Sequence, residues 1–112
     1  LGLRGDVVAQ VRATLEGATH GFPTLAEVAD RLHTSSRTLK RRLHDQGTTF
    51  QQLLDAARRA EAVRLLTTTT LPVEQVAHAL GYADASSFRR AFQAWTGTTP
   101  SERRGGRQVD AP

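Results

Sequence analysis

Apolar residues recur every three or four positions through most of the chain, which is the spacing of helices with one buried face. The first such stretch carries Val7, Val8, Val11 and Leu15. Asp6 stands before it as a candidate cap, and Gly17 followed by Gly21-Phe22-Pro23 ends it. No stretch shows the alternation typical of a strand. The pattern therefore predicts an all-α fold of about seven helices joined by short links.

Capping sequences predict where several helices begin. Three Thr-x-x-Glu/Gln sequences allow the threonine and the later side chain to satisfy each other's backbone N–H groups. They start at Thr24, Thr49 and Thr99. Asp84, and either Thr34 or Ser35, are further candidate caps. Pro72 and Pro100 are expected at first helical positions, where a missing N–H group costs nothing.

Two segments of the chain repeat one another, and the offset between them grows from 48 to 50 residues. The matched pairs are Val28 and Val76, Leu32 and Leu80, Leu39 and Phe88, Leu43 and Phe92, and Gly47 and Gly97. The offset increases by one residue in the turn and by one more at the helix end, where insertions are tolerated. Two short helices with a tight turn form each copy, which is the pattern of a helix-turn-helix. His33 occupies the place of Gly81, so a shared backbone would give His33 a left-handed conformation.

The repeat predicts the domain organisation. We expect an N-terminal supporting helix (1–22), a first helix-turn-helix (23–48), a connecting helix (49–68), a second helix-turn-helix with a short terminal helix (71–104), and a disordered tail (105–112). The longest helix, from about Phe50 to Thr67, lies between the two copies. Each copy buries one stripe, and Phe88, Phe92 and Trp95 form the stripe of the last long helix.

Composition narrows the possible functions. The 112 residues suffice for one small domain or two very small ones. The absence of cysteine excludes disulfides, a thiol nucleophile and a cysteine-based zinc site. No apolar run reaches the length of a membrane span. The chain contains no methionine, so we expect it to be a piece of a longer or processed protein.

Charge is distributed along with the repeat. Lysine and arginine outnumber acids by 15 to 11, and all but Lys40 of these cations are arginine, which a GC-rich genome would also favour. One face of the first copy carries Arg37, Lys40, Arg41 and His44; the corresponding face of the second carries Ala85, Ser86, Arg89, Arg90 and Gln93. Acids lie mainly on the supporting helices. Two acid-free faces on corresponding helices favour nucleic-acid binding over an ordinary solvated surface.

Residues 81–104, GYADASSFRRAFQAWTGTTPSERR, closely resemble the C-terminal signature of the AraC/XylS family of bacterial transcription regulators. The glycine-aromatic pair, the two phenylalanines, Gly-x-Thr-Pro and the final arginine are in register. The connecting helix matches at Leu54, Arg58, Ala62, Leu65 and Leu66. The resemblance covers roughly Pro23 to Arg104. It implies a two-lobed domain that binds double-stranded DNA and accompanies an N-terminal effector-binding or dimerisation domain.

The resemblance assigns base contacts to Arg37, Lys40, Arg41, Ala85, Ser86, Arg89 and Arg90. Arg41 and Arg90 are the best candidates for guanine, because they occupy equivalent positions in the middle of each face. Helix N-termini offer free N–H groups to phosphates. We accordingly expect backbone contacts at Thr34, Ser35, His44, Thr48, Thr49, Gln93, Thr98 and Thr99. The alternative for these threonines is that they only cap helices.

Several side chains depart from the family pattern or have a simpler explanation. Arg59 replaces an apolar residue and Arg103 replaces an aromatic one. We expect Arg58, Arg59 and Arg64 to be solvated or paired with Glu61 rather than bound to DNA. Trp95 is expected to pack in the core rather than stack on bases.

No catalytic constellation, cofactor site or histidine spacing for a metal is evident. We therefore expect a non-enzyme that needs no cofactor and acts in the cytoplasm at the nucleoid. RNA polymerase is an expected partner, and the isolated chain is expected to be a monomer. The rival interpretation is a helical module for protein–protein interaction.

Overall fold

The computed structural model is mainly helical. It describes residues 6–18 and 21–109, with side chains up to residue 104. The described residues form seven α-helices and no strand, which confirms the predicted all-α class. The helices are α1 (Val7–Glu16), α2 (Leu25–Arg31), α3 (Ser36–Asp45), α4 (Phe50–Thr68), α5 (Val73–Ala79), α6 (Ala85–Thr96) and α7 (Pro100–Val109). None of these helices combines the length and apolar content needed to cross a membrane.

The chain divides into two compact units whose boundary lies inside α4, between Ala57 and Arg58. The first unit buries one stripe from each of its helices. Its core consists of Val7, Val11, Leu15, Val28, Ala29, Leu39, Leu43 and Leu53. Leu39 and Leu43 on α3 are fully buried, and each such side chain contributes about 1.5–3 kcal/mol through the hydrophobic effect. This burial fixes which face of α3 remains exposed.

The second unit is built around aromatic side chains. Its buried residues are Ala62, Leu65, Leu66, Val76, Ala77, Leu80, Phe88, Phe92 and Pro100. The Phe88 and Phe92 rings lie 5.7 Å apart in a tilted arrangement, a favourable geometry for aromatic pairs. Trp95 is only half-buried, so it lies at the margin of the predicted stripe, with its ring 6.4 Å from that of Tyr82.

All three predicted capping boxes are present. At the start of α2, the Thr24 N–H donates to Glu27 Oε1 at 2.8 Å and the Glu27 N–H donates to Thr24 Oγ1 at 3.1 Å. Reciprocal pairs of the same kind join Thr49 with Gln52 and Thr99 with Glu102. These bonds satisfy N–H groups that the first helical turn leaves without a partner.

Two predicted helix starts are wrong in detail. Asp6 lies at the N-cap position of α1, but its side chain accepts no capping hydrogen bond. Its backbone, with φ −109° and ψ 47°, is outside the extended conformation from which an N-cap side chain reaches the N2 and N3 amides. Pro72 is the N-cap of α5 rather than its first residue, and its ψ of 150° is extended.

The predicted disordered tail over residues 105–112 is wrong for its first part, because α7 continues to Val109. Each of Gly105 and Gly106 costs about 1 kcal/mol relative to alanine in a helix. The capping box at Thr99 and Pro100 at the first helical position nucleate α7, however, and propagation from a formed nucleus adds a hydrogen bond per residue. Residues 110–112 lie outside the described residues.

Candidate nucleic-acid interface

The two helix-turn-helix turns have the same backbone geometry. His33 has φ 58° and its counterpart Gly81 has φ 89°, so both lie in the left-handed region. In each turn the next residue donates its N–H group five residues back: Thr34 to Ala29 O at 2.9 Å, and Tyr82 to Ala77 O at 3.0 Å. The prediction that His33 adopts a left-handed conformation is confirmed. The repeat in the sequence is therefore a repeat in the backbone.

The two turns differ in length by one residue, but the helices that follow them begin with equivalent caps. Ser35 follows Thr34 directly and caps α3, where its Oγ accepts the Thr38 N–H at 3.1 Å. In the second copy one extra residue, Ala83, precedes the cap of α6, and Asp84 Oδ1 accepts the Ser87 N–H at 2.7 Å. This hydrogen bond lowers the pKa of the Asp84 carboxyl below its ordinary value. Ser35, rather than Thr34, is thus the first cap.

The first candidate face lies on α3. Leu39 and Leu43 point into the core, which leaves the opposite side of the helix to solvent. The exposed side chains there are Arg37, Lys40, Arg41 and His44. Positions three and four apart are neighbours on a helix, so these four side chains form one contiguous basic strip along α3.

The second candidate face lies on α6, opposite Phe88 and Phe92. Ser86, Arg89, Arg90 and Gln93 are exposed, whereas Ala85 is half-buried. Arg89 Nη2 donates to Glu74 Oε2 on α5 at 3.4 Å. The sequence interpretation placed Glu74 on a supporting helix and missed this contact, which brings an acid to the edge of the face.

Most of the predicted backbone-contacting hydroxyls are engaged in local hydrogen bonds. Ser35, Thr49 and Thr99 cap helices, as described above, and Thr48 Oγ1 donates to Gln52 Oε1 at 3.0 Å. Thr98 Oγ1 lies 3.2 Å from Thr96 Oγ1. The remaining members of the set are Thr34, which is half-buried, and the exposed His44 and Gln93. Helix capping by Ser35, Thr49 and Thr99 is therefore observed, and contact with a DNA backbone stays a prediction.

Three of these residues come together beside the end of α3. His44, Thr48 and Thr49 line a shallow cavity of about 220 Å³, together with Gly47 and Gln52. The sequence spacing alone did not predict this grouping. The cavity adjoins the basic strip of α3 because His44 belongs to both.

Arg104 has a structural role that the sequence interpretation did not assign. Its Nε donates to Leu66 O at 3.1 Å and its Nη2 donates to Thr69 O at 3.3 Å. Carbonyls at the end of a helix lack donors within the helix. Arg104 thus closes the C-terminal end of α4 from 38 residues away. The only signal in the sequence was its place as the last arginine of the family signature.

The arginines of α4 divide into two environments. Arg64 donates to both carboxylate oxygens of Glu61, at 2.7 and 2.8 Å, and these hydrogen bonds lower the pKa of Glu61. That pairing was predicted. Arg58 differs, because it is half-buried and its guanidinium carbon lies 5.2 Å from the centre of the Tyr82 ring. Arg58 Nε is buried without a hydrogen bond. Arg58 is therefore only partly solvated and forms no ion pair with Glu61, because Tyr82 packs against its guanidinium group.

Among the residues that the structure describes, no group of three or more histidine, aspartate and glutamate side chains is arranged to hold a metal ion.

Comparison with known families gives one match that spans most of both copies. A family model described as a helix-turn-helix domain matches residues 28–106. Among curated proteins, the ornithine utilization regulator of Pseudomonas aeruginosa is 45% identical over 104 residues, which is 93% of this chain and 31% of that protein. The transcriptional regulator VqsM of the same species is 36% identical over 98 residues. The chain spans about a third of the length of these relatives, which are named as regulators.

Solved structures with the same fold include intact regulators and isolated domains. The transcriptional regulator CdpR from Pseudomonas aeruginosa matches with a TM-score of 0.82 and 41% identity over 88% of this chain and 31% of that one. The DNA-binding domain of AdpA, solved in complex with a target DNA, matches with a TM-score of 0.78 and 28% identity over 96% of this chain and 97% of that one.

Proposed function

Because the chain belongs to the AraC/XylS family of helix-turn-helix transcription regulators, we propose that it binds double-stranded DNA in a sequence-specific manner. The observation that carries this proposal is the exposed basic strip on α3, with its counterpart on α6, each following the same left-handed turn. The structural similarity to a domain solved with its target DNA supports it.

We place the two recognition helices, α3 and α6, in successive major-groove segments of one duplex, as the family resemblance implies. Arg41 and Arg90 lie in the middle of their faces and would each donate two hydrogen bonds to guanine O6 and N7. The other proposed base contacts are Arg37, Lys40, Ala85, Ser86 and Arg89. Ala85 offers only a methyl group and is half-buried. The first turn of α6 would therefore read less of the base sequence than the first turn of α3, which carries Arg37.

Contacts with the DNA backbone would fix the register of the two helices. The proposed residues are Thr34, Ser35, His44, Thr48, Thr49, Gln93, Thr98 and Thr99. The side-chain oxygens of Ser35, Thr49 and Thr99 are used as helix caps. These residues would therefore contact phosphate through the backbone N–H groups at the helix starts, where the helix favours a negative charge. His44, Thr48 and Thr49 would hold one phosphate at their shared cavity.

The proposal extends to the protein of which this chain is the DNA-binding part. The matched relatives are about three times as long, which supports an additional N-terminal domain that binds an effector or dimerises. RNA polymerase is a proposed partner at promoters. The chain alone would bind as a monomer to two adjacent half-sites, and such a regulator would work in the bacterial cytoplasm, where the chromosome lies.

A binding-site selection from random duplexes tests this function. We expect enrichment of two short half-sites about one helical turn, roughly 34 Å, apart. Arg41→Ala and Arg90→Ala should each weaken binding to the selected duplex by about 1–3 kcal/mol and relax base preference in one half-site only.

The alternative outcomes of this selection are distinct. Equal losses on every sequence would make Arg41 and Arg90 phosphate contacts. Failure to enrich any sequence would refute sequence-specific binding. Arg59→Ala, an exposed arginine of α4 outside both faces, is the matched control and should leave the preference of both half-sites unchanged.

A further inference from the structure

Glu74 forms an ion pair with a side chain of a proposed recognition helix. Its carboxylate accepts a hydrogen bond from Arg89 Nη2 at 3.4 Å, and 69% of the Glu74 side chain and 44% of the Arg89 side chain remain exposed. The described residues form one other ion pair, between Glu61 and Arg64 on α4. Among the proposed base-contacting arginines of the described chain, Arg89 alone forms an ion pair, whereas Arg90 interacts with the Asp84 carboxylate only at longer range.

The internal repeat shows that this pairing is specific to the second copy. Arg89 corresponds to Lys40 at the offset of 49 that relates α3 to α6, and Glu74 corresponds to Ala26 at the offset of 48 that relates α2 to α5. Ala26 is exposed and offers Lys40 no partner. The next acid of α2, Glu27, accepts from the Thr24 N–H in the capping box. The same backbone thus presents a restrained cation in one copy and an unrestrained one in the other.

We propose that Glu74 is a positioning residue that restrains Arg89 in the free protein and lowers the affinity of α6 for DNA of any sequence, an inference that rests on the proposed DNA binding. A phosphate that recruits Arg89 must displace the carboxylate and approach its negative charge. DNA of any sequence supplies only electrostatic attraction in return. A cognate site adds hydrogen bonds from base edges, but it requires the same loss of the ion pair.

The restraint on Arg89 is weak enough for DNA to overcome. Exposed ion pairs contribute little in water, which corresponds to about a two- to fivefold effect on binding. This factor acts on every duplex that recruits Arg89, so it lowers both affinities and leaves the ratio between them unchanged. The first copy, whose Lys40 lacks such an acid, would then supply most of the non-specific affinity.

Glu74→Gln tests the proposal, with Glu61→Gln as the matched control, because each removes one negative charge and releases one arginine. On a mixed-sequence duplex at low salt, Glu74→Gln should lower Kd about two- to fivefold relative to Glu61→Gln. Its salt dependence should steepen by up to about one phosphate contact. The affinity for the selected duplex should rise by the same factor, so the specificity ratio should stay unchanged. In an Arg89→Ala background the excess effect of Glu74→Gln should disappear.

Ala26→Glu provides a second and opposite variant, and it should weaken binding to the mixed duplex by restraining Lys40. The proposal is overturned if Glu74→Gln and Glu61→Gln act equally, or if the excess persists without Arg89. It is also overturned if Glu74→Gln weakens binding to the selected duplex alone, since the carboxylate would then direct Arg89 toward DNA. Unmodified protein that bound neither duplex in a salt-dependent way would refute the proposed function itself, before any variant is compared.

Discussion

Arg104 shows how much a single side chain contributes to the second unit. It is half-buried, and its two hydrogen bonds reach the Leu66 and Thr69 carbonyls at the C-terminal end of α4. The C-terminal end of a helix carries a partial negative charge, which favours a nearby cation. Arg104 therefore joins α7 to α4 through charge-assisted hydrogen bonds.

We expect Arg104→Ala to lower the free energy of unfolding by about 1.5–3 kcal/mol, since hydrogen bonds to a charged group are lost and the carbonyls are left without that donor. Arg103→Ala is the control, because Arg103 is exposed on the same helix, and it should change stability by less than about 0.5 kcal/mol. Urea unfolding followed by circular dichroism measures both. Equal effects of the two substitutions would contradict the role assigned to Arg104.

The left-handed residue in each turn gives a second prediction at this scale. A left-handed conformation costs an L-residue about 1–2 kcal/mol, whereas glycine adopts it freely but loses more entropy on folding. His33→Gly should therefore stabilise the protein by about 0.5–1 kcal/mol. Gly81→Ala should destabilise it by about 1–2 kcal/mol, because an added Cβ would meet only Arg58 Nη2, at an ordinary 3.9 Å, and backbone strain alone remains.

Thermal and urea unfolding of the His33→Gly and Gly81→Ala variants check the opposite signs. If His33→Gly destabilised the protein, the histidine side chain would contribute more than its backbone strain costs.

Individual side chains were predictable from sequence only where the determinant is local. The left-handed conformation of His33 followed from its alignment with Gly81 in the repeat. The partners of Arg58, Arg89 and Arg104 did not follow, because each lies on a distant segment of the chain and depends on how helices and turns pack within a unit. Periodicity distinguishes the buried side of a helix from the exposed side, but it does not say which neighbour an exposed arginine meets.

Helix starts were well predicted because capping acts over three residues. Each threonine and its glutamate or glutamine lie on the same short segment, so the sequence contains both partners of the bond. Asp6 failed as a side-chain cap because capping also requires an extended backbone at the cap, which composition does not reveal. The end of α7 was missed because two glycines weaken a helix without preventing its propagation.

The two recognition helices begin with different caps, which predicts different pH dependence. Asp84 is ionised when it caps α6, and its hydrogen bond from Ser87 lowers its pKa in the folded state. Ser35 caps α3 with a neutral hydroxyl. Since the folded-state pKa of Asp84 is below its unfolded value, its stabilisation is complete above about pH 3.9 and is lost as pH falls through the folded-state pKa.

We therefore expect the midpoint of thermal unfolding to fall less steeply below about pH 4 in Asp84→Ser than in the unmodified protein. Ser35→Asp is the reciprocal variant and should introduce an additional decrease over the same range. Thermal unfolding between neutral pH and pH 2 measures both. Parallel curves for Asp84→Ser and the unmodified protein would show that the carboxylate contributes nothing beyond a neutral cap.

At the scale of the whole molecule, duplication explains why the fold could be predicted. The two copies constrain one another: equivalent caps, equivalent left-handed turns and equivalent buried stripes recur at offsets of 48 to 50 residues. The all-α class and both helix-turn-helix units followed from this recurrence. The candidate faces followed as well, because burying Leu39, Leu43, Phe88 and Phe92 leaves the arginine-bearing sides exposed.

Charge is the second property of the whole molecule that bears on function. The excess of four positive charges is modest, but basic side chains of both units lie on the exposed strips of α3 and α6. Glu74 pairs with Arg89 on the strip of α6, and no described acid forms an ion pair with the strip of α3. The two copies therefore share a backbone and differ in ion pairing, which implies unequal shares of the general attraction to DNA.

The affinity of the unmodified chain for a mixed-sequence duplex at two salt concentrations tests DNA binding most directly. Binding through several phosphates releases counterions, so we predict measurable affinity at low salt and a fall with a logarithmic slope of about −0.9 for each phosphate contacted. Affinity that is undetectable at low salt, or that does not change as salt rises, would contradict the account.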